Sequence, residues 1–70
     1  MNELNAKYTV RDALKEKYGF APEDVADIHI EKVMHIKKVD SKVDGRYIYC
    51  EIGGKNYLIF EGFGYMVMQL

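Results

Sequence analysis

The spacing of apolar residues predicts a helix over Tyr8–Tyr18. Apolar side chains recur there at helical intervals and form one stripe, which consists of Val10, Ala13, Leu14 and Tyr18. Thr9 is suited to the N-cap of this helix, and Gly19 is suited to the left-handed position that ends it. Residues 1–7 precede the helix and are expected to be flexible. A second, very short helix is expected to begin at Pro22, because proline is tolerated in the first helical turn.

From Asp27 onward the hydrophobic period shortens to two, which indicates strands. A first strand begins near Asp27, and the later ones are expected at Arg46–Ile52, Lys55–Glu61 and Tyr65–Leu70. Lys32 and Val33 break the alternation in the first strand, which is compatible with a bulge or with a partly helical segment. Asp40–Gly45 is predicted to be a polar turn. The fold class that follows is α+β, with one N-terminal helix packed on one face of a four-stranded antiparallel β-meander.

The pair Gly53-Gly54 predicts a tight type I′ hairpin, because both central residues of that turn need positive φ. If Ile52 pairs with Lys55, the register of the hairpin follows by counting. The expected cross-strand pairs are Cys50 with Tyr57, Ile48 with Ile59, Tyr49 with Leu58, and Tyr47 with Phe60. Both faces of this hairpin are therefore apolar, whereas an antiparallel sheet with one wet face alternates between apolar and polar residues.

One short helix can cover only one of the two apolar faces. We expect it to cover the aliphatic face, formed by Ile48, Cys50, Ile52 and Ile59. The second face is expected to present an interface made of Tyr47, Tyr49, Leu58 and Phe60, with Tyr65 and Val67 from the last strand. A patch of this size should be covered by a second copy, a partner protein, a ligand or the N-terminal residues. The alternative is an ordinary surface, because tyrosine tolerates water through its hydroxyl.

The last strand contains the uncharged segment Met66–Leu70. This strand lies at the edge of the sheet if the four strands form a simple meander. Natural edges are usually blunted by lysine, proline or bulges, and an edge without them can pair with another strand. The alternative places this strand centrally, beside the first strand.

Composition indicates one small domain over residues 1–70, with 49% hydrophobic and 30% charged residues and a formal net charge of −1. Cys50 is the only cysteine, so no intrachain disulfide can form, and a lone thiol suits a reducing compartment. The first residues show no basic region followed by an apolar run, and no apolar stretch is long enough to cross a bilayer. We therefore expect a cytoplasmic protein without a membrane partner. Self-association is the remaining aid to the stability of so small a core.

No catalytic, cofactor-binding or metal-binding constellation is predicted, so we do not expect an enzyme. His29 and His35 share a face of a regular strand but lie roughly 20 Å apart, which is too far to chelate one ion. Cys50 could be a nucleophile, but its neighbours favour a small core residue. Single-stranded nucleic acid could stack on Tyr47, Tyr49 and Phe60, yet the slightly negative charge disfavours phosphate binding.

Two segments resemble the PepSY-type α+β module. One is Ala13-Leu14 followed by Lys17-Tyr18-Gly19, and the other is the hairpin Tyr47-Ile48-Tyr49-Cys50-Glu51-Ile52 with Lys55-Asn56-Tyr57-Leu58-Ile59. The resemblance implies an inhibitory or regulatory binding role, although that family is extracytoplasmic. The interpretation that follows is a non-catalytic protein-binding or regulatory module that self-associates, as a homodimer, through the aromatic sheet face or the C-terminal edge strand. Single-stranded nucleic-acid binding is the alternative.

Overall fold

The computed structural model describes residues 3–38 and 43–70. Helix α1 is followed by a single 3-10 turn and by four strands, which form one antiparallel sheet in the order β1-β2-β3-β4. The elements are α1 (Glu3–Tyr18), the 3-10 turn (Val25–Asp27), β1 (His29–Lys38), β2 (Val43–Ile52), β3 (Lys55–Gly62) and β4 (Gly64–Gln69). The predicted α+β fold, with one helix and a four-stranded meander, is confirmed.

Helix α1 begins at Glu3, five residues before the predicted start at Tyr8. Thr9 is therefore not the N-cap but a buried residue in the middle of the helix, and the segment before Tyr8 is helical from Glu3 onward. The stripe continues backwards through Ala6, which is fully buried, but a single alanine among polar residues gives little hydrophobic signal. The predicted end is confirmed, because Gly19 has φ +80° and its N–H donates to the Lys15 carbonyl.

The second helical turn covers Val25–Asp27 and begins later than Pro22, where it was predicted. Asp24 acts as its N-cap, since one carboxylate oxygen accepts a 2.9 Å hydrogen bond from the N–H of Ala26. The turn is followed directly by Ile28, which is fully buried in the core.

The first strand contains a bulge rather than a helical segment. The register between β1 and β2 shifts between Ile30 and Lys32, so Glu31 is the extra residue. Strand β2 begins at Val43, so the last three residues of the predicted polar turn Asp40–Gly45 belong to a strand, and the start of that turn lies outside the described residues.

The hairpin of β2 and β3 has the predicted turn and register. Gly53 and Gly54 both have positive φ, at 57° and 83°, and Glu51 accepts a 2.7 Å hydrogen bond from the N–H of Gly54 through its carboxylate. All five predicted cross-strand pairs, from Ile52–Lys55 to Tyr47–Phe60, are present.

The core lies between α1 and the aliphatic face of the sheet, as predicted. Ile48, Cys50 and Ile59 are buried there, and Ile52 packs against them. Helix α1 contacts β4, β1 and β3 and contributes Ala6, Val10, Ala13 and Leu14 to the same cluster, whereas Tyr18 of the predicted stripe is exposed. Among the described strands, β4 pairs with β3 alone and lies at the edge of the sheet, which decides between the two alternatives for its position.

Candidate interaction surface

The side of the sheet that faces away from α1 carries a continuous band of apolar side chains, which we call the open face. Two cross-strand rows form the band. One row runs through Met34, Tyr47, Phe60 and Met66, and the other runs through Lys32, Tyr49, Leu58 and Met68. Seven of these eight positions are apolar or aromatic.

The two sides of the band differ in chemistry. Beyond one side, the next row contains the polar residues His29, Glu51 and Asn56 and ends at Leu70. Beyond the other side, Gly45 in β2 and Gly62 in β3 carry no side chain. The band is therefore bordered mainly by polar groups on one side, and on the other by glycines and by Ile36, which pairs with Gly45.

Much of the open face is accessible to solvent. Met66 is 66% exposed and Met68 is 55% exposed, while Tyr47, Tyr49, Leu58 and Phe60 are half-buried by one another. The rings of Tyr47 and Phe60 are tilted by 47° with centroids 4.8 Å apart. Within residues 3–38 and 43–70, the helical elements contact the opposite side of the sheet, so no element covers this band.

Phe60 lies flat over the backbone because both neighbouring open-face positions are glycine. A Cβ atom at Gly62 would lie 2.6 Å from Cε2 of the Phe60 ring. A Cβ atom at Gly45 would lie 2.9 Å from Cζ of the same ring and 2.6 Å from the Glu61 carbonyl oxygen. The missing side chains thus create the notch that holds the ring against the sheet.

Four of the six predicted interface residues lie on the open face: Tyr47, Tyr49, Leu58 and Phe60. The placement of Tyr65 and Val67 there was wrong, because they pair with Glu61 and Ile59 on the side that α1 covers. The structure brings Met66 and Met68 to the open face instead. Counting the register through the loop Gly62-Phe63-Gly64 would have found them, since Gly62 pairs with Gly64.

A buried polar cluster forms a second notable feature, on the covered side near the start of α1. Arg46 is only 8% exposed. Its Nε donates to Glu61 Oε1 at 2.6 Å, and its Nη2 donates to Thr9 Oγ1 at 2.7 Å and Asn5 Oδ1 at 2.8 Å. The guanidinium therefore ties α1 to β2 and β3.

No local sequence pattern indicates that Arg46 is buried, because it is a charged residue at the start of the predicted strand Arg46–Ile52. An open cleft of about 470 Å³ lies beside it and is also lined by His35 and Asp44. Since the Arg46 guanidinium already donates hydrogen bonds to Glu61, Thr9 and Asn5, we assign Arg46 a structural role.

Cys50 is 1% exposed, and burial raises the pKa of its thiol to about 11, with smaller contributions from the charges of Glu31 and Glu51. The thiol is therefore protonated near neutral pH and has the chemistry of a small core residue. This placement confirms the core interpretation of Cys50.

The bulge at Glu31 moves the two histidines to opposite faces. His29 pairs with Glu51 on the open side, and His35 pairs with Arg46 on the covered side. The expectation that they share a face was wrong, because one inserted residue reverses the alternation. Among the described residues, no three His, Cys, Asp or Glu side chains are grouped so that they could hold a metal ion.

None of the helices in the described ranges is both long and apolar enough to span a membrane. Comparison with protein-family models, with curated proteins and with solved structures found no match. The PepSY-like resemblance therefore stays a hypothesis.

Proposed function

We propose that this protein is a non-catalytic, protein-binding regulatory module that self-associates through its open face. The observation that carries the proposal is the two-row apolar band, which no described element covers and which exposes the side chains of Met66 and Met68. Soluble proteins rarely leave a contiguous apolar surface of this kind without a partner. The buried, protonated Cys50 suits a reducing compartment such as the cytoplasm.

A second copy is a suitable cover because the band is apolar and Lys32 is the one charged residue in its two rows. Two sheets can stack about 10 Å apart with their facing side chains interdigitated. The aromatic pair Tyr47–Phe60 and the flexible methionines provide the residue types that are enriched in the centres of interfaces. Lys32, at the β1 end of one row, would lie at the rim of such a contact, where a charge stays hydrated.

The test is the molar mass in solution, measured by size-exclusion chromatography with light scattering over a wide concentration range. We expect the wild type to be a dimer and Tyr49→Lys to be a monomer, because the substitution places a charge in the middle of the band. The matched control is Phe63→Lys, which makes the same kind of change at a residue that is 90% exposed in the β3–β4 loop. The control should remain a dimer.

A wild type that stays monomeric at the highest concentration would refute self-association. A dimer that Tyr49→Lys leaves intact would show that the open face is not its interface. Titration with a labelled single-stranded oligonucleotide at low salt tests the alternative function: binding that weakens as salt is added and is lost in Tyr49→Lys would favour nucleic acid over a protein partner.

A further inference from the structure

The outer edge of β4 presents backbone hydrogen-bonding groups in a regular pattern. The N–H of Leu70 donates to the carbonyl of Asn56 at 2.8 Å, which makes this a hydrogen-bonded pair of the β3–β4 ladder. Because such pairs alternate along antiparallel strands, the polar backbone groups of Met66 and Met68 also point towards β3. Those of Tyr65, Val67 and Gln69 therefore point outward, where they can accept another strand.

The two edges of the sheet differ in how well they are protected. Strand β1 has a bulge at Glu31 and carries Lys32, and bulges and lysines are common devices against unwanted pairing. Strand β4 pairs with β3 without a register shift, and residues 64–70 include no charged residue and no proline. Of the two edges, β4 is the one suited to a further strand.

The flanks of β4 indicate what kind of strand would fit. On the open side, Met66 and Met68 expose apolar surface beside the edge. On the covered side, α1 contacts β4, and Thr9, Asp12 and Glu16 lie along one flank of that helix. Thr9 on that flank donates to the carboxylate of Glu61, which is the cross-strand partner of Tyr65.

The carboxylates along this flank act on the edge strand electrostatically. Burial raises the pKa of Tyr65, the charges of Asp12, Glu61 and Glu16 raise it further, and Arg46 lowers it. Arg46 is already bound to Glu61, so the exposed acids of the helix, Asp12 and Glu16, are the charges available to a ligand. The covered side of the edge is therefore acidic and the open side is apolar.

We propose that the β4 edge binds an extended segment of a partner protein as a fifth strand, and that this segment alternates basic and apolar residues. Its basic side chains would lie beside Asp12 and Glu16, and its apolar side chains would extend the rows that end at Met66 and Met68. Backbone hydrogen bonds to Val67 and its outward-pointing neighbours supply the strand pairing. The inference specifies a partner for the proposed binding role and does not depend on the dimer.

A second copy fits this edge less well than a basic segment does. Symmetric pairing of two β4 strands about Val67 would place both helices on the same side of one continuous sheet. The acidic flanks with Asp12 and Glu16 would then face each other across the symmetry axis, where like charges repel. Self-association is expected at the open face, and the edge remains available in the dimer.

The test uses a fluorescein-labelled nine-residue peptide of alternating lysine and valine, with blocked ends, and measures its binding to the full chain by fluorescence anisotropy. A peptide of alternating glutamate and valine is the charge control. We expect the lysine peptide to bind at least about tenfold more tightly than the glutamate peptide. In the double variant Asp12→Lys, Glu16→Lys this preference should reverse.

The backbone contribution is tested by Val67→Pro against Val67→Ala. Both variants remove the valine side chain that packs against the core, but only proline also removes the outward-pointing N–H, and proline is tolerated at such positions of edge strands. We expect Val67→Pro to bind the lysine peptide at least about tenfold more weakly than Val67→Ala, with both variants folded by circular dichroism.

Equal binding by the two Val67 variants would overturn the proposal, as would equal affinity for the two peptides. Binding that is lost in Tyr49→Lys but kept in Val67→Pro would place the peptide on the open face and would also overturn it. A monomeric wild type that still binds the lysine peptide at the edge would refute the proposed dimer and leave the edge site standing.

Discussion

The two faces of the sheet carry similar apolar side chains but differ in their relation to solvent. On the covered face, Ile48 and Ile59 are fully buried beneath α1. On the open face, Leu58 and Phe60 alternate with residues of the covered face along the same strand and are only half-buried by their neighbours. The difference shows that the covered face accounts for the stability of the single chain, while the open face has apolar surface left for a partner.

The largest predicted effect is a difference in stability between alanine variants of two neighbouring residues in β3. Ile59 lies on the covered face and Leu58 lies on the open face. Ile59→Ala should lower the free energy of unfolding by about 3 kcal/mol, because it leaves a cavity under α1. Leu58→Ala should cost about 1 kcal/mol in the monomer, since its side chain is only half-buried, and should weaken the dimer. Urea denaturation at low protein concentration measures the first effect, and light scattering measures the second. Equal losses of stability in Ile59→Ala and Leu58→Ala would contradict the claim that the covered face accounts for the stability of the single chain.

The polar cluster sharpens the comparison on the covered side. Arg46→Ala should lower the free energy of unfolding by about 2 kcal/mol, because the acceptor atoms of Glu61, Thr9 and Asn5 lose their donor. The loss is moderate because water can still reach part of the Glu61 side chain. Arg46→Met fills part of the same space without the charge and serves as the comparison. Thermal unfolding followed by circular dichroism measures both variants. A loss below about 0.5 kcal/mol for Arg46→Ala would show that the cluster does not hold α1 to the sheet.

The last predicted effect appears only at alkaline pH and is a loss of stability that originates at Cys50. Its pKa is about 11 in the folded protein, against 9.0 for an ordinary thiol, so the folded state holds the proton more tightly than the unfolded state. The contribution is fully present below about pH 9 and is lost as the pH rises through 11, by about 3 kcal/mol in total.

This pH effect is measured by urea denaturation at a series of pH values, with Cys50→Ala as the control. Tyrosine and lysine also titrate in this range, so the relevant quantity is the difference between the two proteins. Identical pH profiles would contradict the predicted burial of the thiol.

The sequence predicted those parts of the fold that depend on short-range rules. The Gly53-Gly54 turn admits one register, and the alternation of residues along β2 and β3 then assigns every side chain to a face. Four of the six predicted interface residues followed directly from this counting. The helix end at Gly19 was equally readable, because only a residue tolerant of positive φ suits that position.

The errors arose where one residue changes the parity or where tertiary contacts decide the outcome. The bulge at Glu31 places the two histidines on opposite faces. The pairing of Gly62 with Gly64, which was not included in the predicted register, places Tyr65 and Val67 on the covered face. The burial of Arg46 depends on acceptors as distant in sequence as Asn5 and Glu61, and no local pattern contains that information.

The packing of α1 against β4 has a consequence for synthesis of the chain on the ribosome. The helix is made first, but the strand that lies against it near Tyr65 and Val67 is made last of the described elements. During translation the β2–β3 hairpin can therefore form while Ala6 and Val10 still lack part of their final surroundings. Cooperative closure of the domain must wait until β4 has left the exit tunnel, and truncation before this strand should leave a chain that chaperones recognise by its exposed helix stripe.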